Sequence, residues 1–297
     1  MPVQNKKCIY KPEKMKNVTV IILAVIFYSC EFRPSGRTGS QVILPVPEPE
    51  PVIINIDSII RIVHKIANLE FPYAENEDDI ISHTGFSFVF NDAHKQSDWA
   101  AYMLCRERLA NPVTERTDIF RPDPAVKTGT ATAADYRSSG YDRGHIVPSA
   151  DMLWSETAME ESFFFSNISP QLATINRAGG IWYKLEDLVR VWAEEYDTLY
   201  IVAGPALKQG IRGSIGNNNV SVPEYFYKVI LNYTSNRIEG IGFIMPHEKE
   251  RSGNPVQNYA VTIDSVQNFT GINFFHKLPN AQEKYIESRL CDNCWIW

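Results

Sequence analysis

Along the chain the hydrophobic pattern changes period several times, and each period predicts an element. FSFVFN (86–91) alternates aromatic and polar positions, the period-2 pattern of a strand. DWAAYMLCRERL (98–109) continues as a second strand until Asn111-Pro112 breaks it. Residues 114–140 are rich in turn formers and read as a long ordered loop, and YDRGHIVPS (141–149) as a short extended segment. ETAMEESF (156–163) has helical composition, and FFFSNISPQ (163–171) returns to strand. IWYKLEDLVRVWAEEY (181–196) carries the clearest period of 3.6, with Ile181, Leu185, Leu188 and Trp192 on one apolar face. LYIVAGPAL (199–207), EYFYKVILNY (224–233) and GIGFIMP (240–246) are strands of buried or half-buried type. Many strands with few helices predict an α+β fold with a mostly antiparallel central sheet.

The first thirty residues follow another logic. Lys6, Lys7, Lys11, Lys14 and Lys16 lead into the apolar run VTVIILAVIFYS (18–29), which ends at Cys30. A basic region, a short apolar region and a small residue before a cysteine form the pattern of a lipoprotein-type signal peptide, too short for a comfortable membrane span. The competing reading, a buried helix, lacks amphipathic periodicity. Residues 1–29 are therefore expected to be removed, with Met1 or Met15 as the start, and Cys30 to carry lipid. Residues 30–66, containing PVPEPEP (45–51), form an extended Pro-rich tether. A domain over 67–290 and a Cys-containing tail over 291–297 complete the division. The expected location is exported and anchored to the bacterial envelope.

Charge and cysteines narrow the picture. The net charge is −6, and residues 1–29 carry five Lys and one Glu, so the remainder stands at −6 − 4 = −10. A nucleic-acid partner would then have to be met by a local cluster and a metal ion, because the chain as a whole is acidic. Of the five cysteines, Cys105, Cys291 and Cys294 remain beyond Cys30, and a disulfide between two of them suits an exported chain. The lone CxxC of Cys291 and Cys294 has no second pair with which to hold zinc.

The chemistry concentrates in SGYDRGHIVPSAD (139–151). His145 is a candidate general base, because histidine alone has an unperturbed pKa near neutrality. Arg143 offers planar paired donors to phosphate oxygens, and Gly144 between them permits close backbone approach. Downstream, Asn176 precedes the strong helix, and Glu186 and Arg190 lie four apart on one of its faces. An amide oxygen, a carboxylate and waters are hard ligands that suit Mg²⁺. A base, a hard-metal site and two arginines assemble a phosphodiester hydrolase. Each residue also has a plainer reading: Asn176 as a helix N-cap, Glu186 and Arg190 as an i,i+4 ion pair, and Arg116 and Arg121 as solvated loop arginines.

YDRGH followed by PSADM, then SNISPQ, then N…IW..LE..VR, resembles the DNA/RNA non-specific endonuclease family, the ββα-metal (His-Me finger) nucleases of endonuclease G type. The likeness runs from HTGFSF to TGINFFHKLP. It implies a ββα-metal motif with flanking helices, and Mg²⁺, replaceable by Mn²⁺ or another divalent ion. His145 would activate the attacking water, Asn176 would be the direct metal ligand, and Glu186 would hold metal-bound water. Arg143 and Arg190 would lie near the phosphate. Asp142 would orient the loop, and Asn167 and Gln171 would support the site by hydrogen bonds. The implied partners are DNA and RNA, cut with 5′-phosphate ends, beside the membrane through Cys30; a homodimer is also compatible. One departure stands out: the family places its metal asparagine four residues before the helix tryptophan, whereas Asn176 is six before Trp182. A two-residue insertion bulged at Gly179-Gly180 would leave Asn176 in place; a displaced ligand would leave a catalytically inactive nucleic-acid-binding surface lipoprotein.

Overall fold

The computed structural model describes residues 63–249 and 253–297; the leader 1–29, Cys30 and the Pro-rich run 45–51 lie outside the described residues. The chain forms β1 (Ile80–Ser82), β2 (Ser87–Asn91) and β3 (Gln96–Cys105), then a short helix α1 (Arg106–Ala110). The strand expected over 98–109 thus stops at Cys105. There Arg106 turns off the sheet, its N–H donating to the Asp197 carbonyl and its guanidinium to the carbonyls of Glu194 and Glu195. Residues 114–140 are mostly irregular, with one short helix α2 (Ala133–Tyr136). β4 (Asp142–His145), α3 (Glu156–Ser162), β5 (Ile168–Gln171), α4 (Ala173–Asn176) and α5 (Ile181–Tyr196) follow. The strand expected from Phe163 begins only at Ile168, because Phe165–Asn167 curl into a 3₁₀ turn.

The second half supplies β6 (Thr198–Pro205), β7 (Ile211–Ile215), β8 (Val220–Pro223), β9 (Tyr225–Thr234), β10 (Arg237–Pro246), β11 (Ala260–Val261), α6 (Ile263–Thr270) and α7 (Asn280–Glu287). Seven strands make one sheet in the order β1-β2-β3-β6-β9-β10-β11, with every neighbouring pair antiparallel. The fold is α+β with a large antiparallel sheet, as the patterning predicts.

Both faces of this sheet are covered, which is why β9 reads as a nearly unbroken apolar run. Phe226, Lys228 and Ile230 alternate with Tyr227, Val229 and Leu231, and all are buried. On the first face lies α5, burying Trp182, Leu185, Val189, Trp192 and Ala193. On the second lie α6 and α7, through Ile263, Val266 and Ile286. Full burial of one such side chain is worth about 1.5–3 kcal/mol, so α5 is fixed by packing rather than by propensity. The tail adds to this. Cys291 and Cys294 form a disulfide, and Trp295 packs on Trp192, whose Nε1 donates to the Ile296 carbonyl.

Candidate active site

β4 and β5 pair antiparallel, Asp142 opposite Gln171 and His145 opposite Ile168. Residues two apart on a strand share a face, so Arg143 and His145 project together. Phe120, from the long loop, confirms it: its ring carries the Arg143 guanidinium at 4.0 Å and lies 5.5 Å from the imidazole. Beside them opens a groove of about 540 Å³ lined by Arg116, Phe120, Tyr136, Arg137, Tyr141 and Arg143, among others.

His145 is 9% exposed and wedged between Phe120 and Phe163. Burial, reinforced by the charges of Arg116 and Arg143, pushes the imidazole down to about 3. It is therefore neutral at physiological pH and able to accept a proton. Its Nε2 is buried without a hydrogen-bond partner, which leaves Nδ1 as the nitrogen open to a proton donor.

Asn167 braces this segment. Its Oδ1 accepts from the Val147 N–H, and its Nδ2 donates to the carbonyls of Val147 and Ser162, each at 2.9 Å. It fixes the chain that carries His145 and makes no part of the groove lining given above. Asn167→Ala would strand three buried backbone groups, and the unfolding free energy should fall by about 3–5 kcal/mol. Chemical denaturation checks this; a loss below about 1 kcal/mol would contradict the bracing role.

Gln171 departs from expectation. Its side chain is fully buried, and neither Oε1 nor Nε2 has a partner. It instead explains Gly144: a Cβ there would lie 2.2 Å from the Gln171 amide carbon. Gly144 makes room for Gln171, not for an approaching polyanion.

Asn176 ends α4 and is not an N-cap; that position before α5 belongs to Gly180. Asn176 Nδ2 donates to Asp142 at 3.2 Å, and Arg177 grips the same carboxylate through Nε at 2.9 Å and Nη2 at 2.7 Å. Asp142 therefore orients the loop and turns the Asn176 amide so that Oδ1 is the atom left for a ligand. The added residues form a tight turn, with Gly179 at φ +82° and the Gly180 N–H donating to the Arg177 carbonyl at 2.7 Å. A Cβ on Gly180 would lie 2.2 Å from the Ile175 carbonyl oxygen, so the turn closes directly on α4.

Glu186 and Arg190 do not pair with each other. Arg190 Nη1 donates to Asp151 at 3.0 Å and Nη2 donates to Asp187; Asp151 is buried and also accepts from the Tyr102 hydroxyl at 3.0 Å. Burial pushes the Glu186 carboxyl up to about 7, against the pull of Lys228 and with the push of Asp151. Lys228 is itself fully buried, its Nζ 4.7 Å above the Trp182 ring and without a hydrogen-bond partner.

Several participants escaped the sequence reading. Arg116 donates to Ser149 at 2.6 Å and bears on His145, although its loop position looked like ordinary solvated arginine. Phe120 had no distinguishing pattern. Lys228 had one: a lone charge inside an apolar strand. His247 accepts from the Leu172 N–H at 2.7 Å through Nε2 and lies 2.7 Å from the Pro223 carbonyl through Nδ1. Thr174 donates to the Glu248 carbonyl alongside, so the segment that follows β10 anchors the start of α4.

The profile of the DNA/RNA non-specific endonuclease family matches residues 65–281. Human mitochondrial Endonuclease G is 33% identical over 193 residues, covering 61% of this chain and 63% of that protein. Mitochondrial Nuclease EXOG of Danio rerio is 30% identical over 249 residues, covering 79% and 71% respectively. A nuclease of Nostoc sp. is 33% identical over 220 residues, covering 69% and 76%. Among solved structures, the crystal structure of the EndoG/EndoGI complex superposes with a TM-score of 0.64 at 26% identity, covering 71% of this chain and 90% of that one. Sequence, fold and the DRGH strand agree: this chain belongs to the DNA/RNA non-specific endonucleases, a family of phosphodiester hydrolases.

Proposed function

We propose that this protein is a Mg²⁺-dependent endonuclease that cuts DNA and RNA without selecting sugar or sequence and leaves 5′-phosphate ends. The observation that carries the reading is His145, held neutral with an uncommitted ring beside two guanidiniums. In the proposed reaction His145 takes the proton of the attacking water, while Arg143 and Arg116 bear the charge developing on the phosphate. Asn176, turned by Asp142, and Glu186 offer the hard oxygens that suit Mg²⁺. A bound ion there would supply charge stabilisation at the phosphate. Every group named acts on phosphate or water rather than on base edges, which accounts for indifference to sequence.

The proposal extends to export as a lipoprotein anchored through Cys30, supported by the basic leader and apolar run before it. Digestion of end-labelled DNA and RNA oligonucleotides of mixed sequence tests the activity. Fragments at most positions, with 5′-phosphates that a ligase accepts, are expected; cuts confined to one sequence or one sugar would overturn it.

A pH dependence follows from Glu186. In the metal-free protein its carboxylate charge is lost as the pH falls through about 7. The Mg²⁺ concentration for half-maximal activity should accordingly be about tenfold higher at pH 6 than at pH 8. A value constant across that range would show that Glu186 stays ionised or takes no part.

A further inference from the structure

Among the described residues, Arg137, Arg143 and Arg212 are the arginines whose side chains make no hydrogen bond or ion pair; the others are held by carboxylates or carbonyls, as Arg116, Arg177 and Arg190 are. The uncommitted ones gather in one place. Arg137 and Arg143 line the same groove. Arg212 follows Ile211 on β7, which pairs with Pro223; the Pro223 carbonyl lies 2.7 Å from His247 Nδ1, and the His247 ring lies 5.9 Å from Tyr141 in the groove wall. All three guanidinium residues are exposed.

The fold holds them there. Asp135 of α2 accepts from the Asn218 N–H at 3.0 Å and from its Nδ2 at 2.8 Å, so the β7–β8 hairpin is fastened to the helix that Arg137 follows. The carboxylates on the groove wall are already taken: Asp118 by Arg116 and Asp142 by Arg177. Carboxylates are not scarce in this chain, with 35 Asp and Glu against 29 Lys and Arg. Uncompensated like charges converging in an acidic protein indicate an anion supplied from outside.

We propose that Arg137 and Arg212 form a track for the phosphates that flank the scissile one on the same nucleic-acid strand, with Arg143 at its inner end beside His145. The track rests on the nuclease reading above and adds what that reading lacks, a binding site for the rest of the strand. It reads charge spacing and makes the enzyme favour a polynucleotide over an isolated phosphodiester.

The decisive test is binding of a fluorescent single-stranded DNA 12-mer to the His145→Ala chain over a series of salt concentrations. Arg137→Ala and Arg212→Ala, each added to it, should lower the slope of log K against log salt by about 0.7, the release expected for one lost phosphate contact on a single strand. Lys284→Ala, on α7 across the sheet, should leave the slope unchanged. In the otherwise wild-type chain, the two arginine variants should keep kcat/KM within about twofold on bis(p-nitrophenyl) phosphate, which has no flanking phosphates. Unchanged slopes would overturn the track, whether or not the protein cuts. Lowered slopes without cutting of DNA or RNA by wild type would support the track and overturn the nuclease reading.

Discussion

His145→Ala is expected to lower kcat on both DNA and RNA by about 10²–10⁴-fold, the usual worth of a positioned general base. The imidazole is the uncommitted base that the groove borders, and nothing nearby can replace it. Arg116 and Arg143 are cations, and the Glu186 carboxyl, set among Lys228, Asp151 and Arg190, is the group proposed for the metal. The variant should also show that the native ring is neutral. A histidine whose folded-state pKa is depressed to about 3 binds fewer protons than the unfolded chain between about 3 and 6.5. Wild type therefore loses stability as the pH falls through that window, and the variant should lack this part of the loss. Single-turnover cleavage and thermal unfolding at pH 7 and pH 4.5 check both effects. A variant retaining more than about a tenth of wild-type kcat would remove His145 from the role of base.

Asn176→Ala should raise the Mg²⁺ requirement by more than about 100-fold. The effect is expected despite the altered spacing to Trp182, because the structure ties Asn176 to the catalytic strand by another route. Asp142, three residues before His145, holds both Asn176 and Arg177. The turn through Gly179 and Gly180 then delivers the chain to α5 without moving that contact. Asp142→Asn, which weakens the grip of Arg177 but keeps an acceptor, should give a smaller shift in the same direction. If Asn176→Ala responded to Mg²⁺ as wild type does, the ion would be held by other oxygens and the added residues would have displaced the ligand.

What could be read in advance followed from how local each signal is. The helix over 181–196 and the strands β6, β9 and β10 carry their burial pattern within one stretch, so periodicity finds them. The DRGH strand is legible, and Asn176 stands out as a candidate ligand, because their chemistry is unusual for their position and because the motif order resembles a family. Three things were not legible, each because it depends on contacts distant in sequence. The end of β3 is decided by Arg106 meeting carbonyls some ninety residues away, at Glu194 and Glu195. The function of Gly144 is set by Gln171 across the ladder, so a steric need looked like an opening for substrate. His247, just past the end of β10, carries no local signal, and only the fold shows it bonded to Leu172 at the root of the Asn176 turn.

Supercoiled plasmid and a circular RNA, each incubated with the purified protein with and without Mg²⁺, test the central claim most directly, because circles expose no ends. The account predicts nicked and then linear plasmid, and linear and then shorter RNA, only when Mg²⁺ is present and not with His145→Ala. Circles left intact by wild type in Mg²⁺ and in Mn²⁺ would contradict it, and would make the chain a binder of nucleic acid that does not cut.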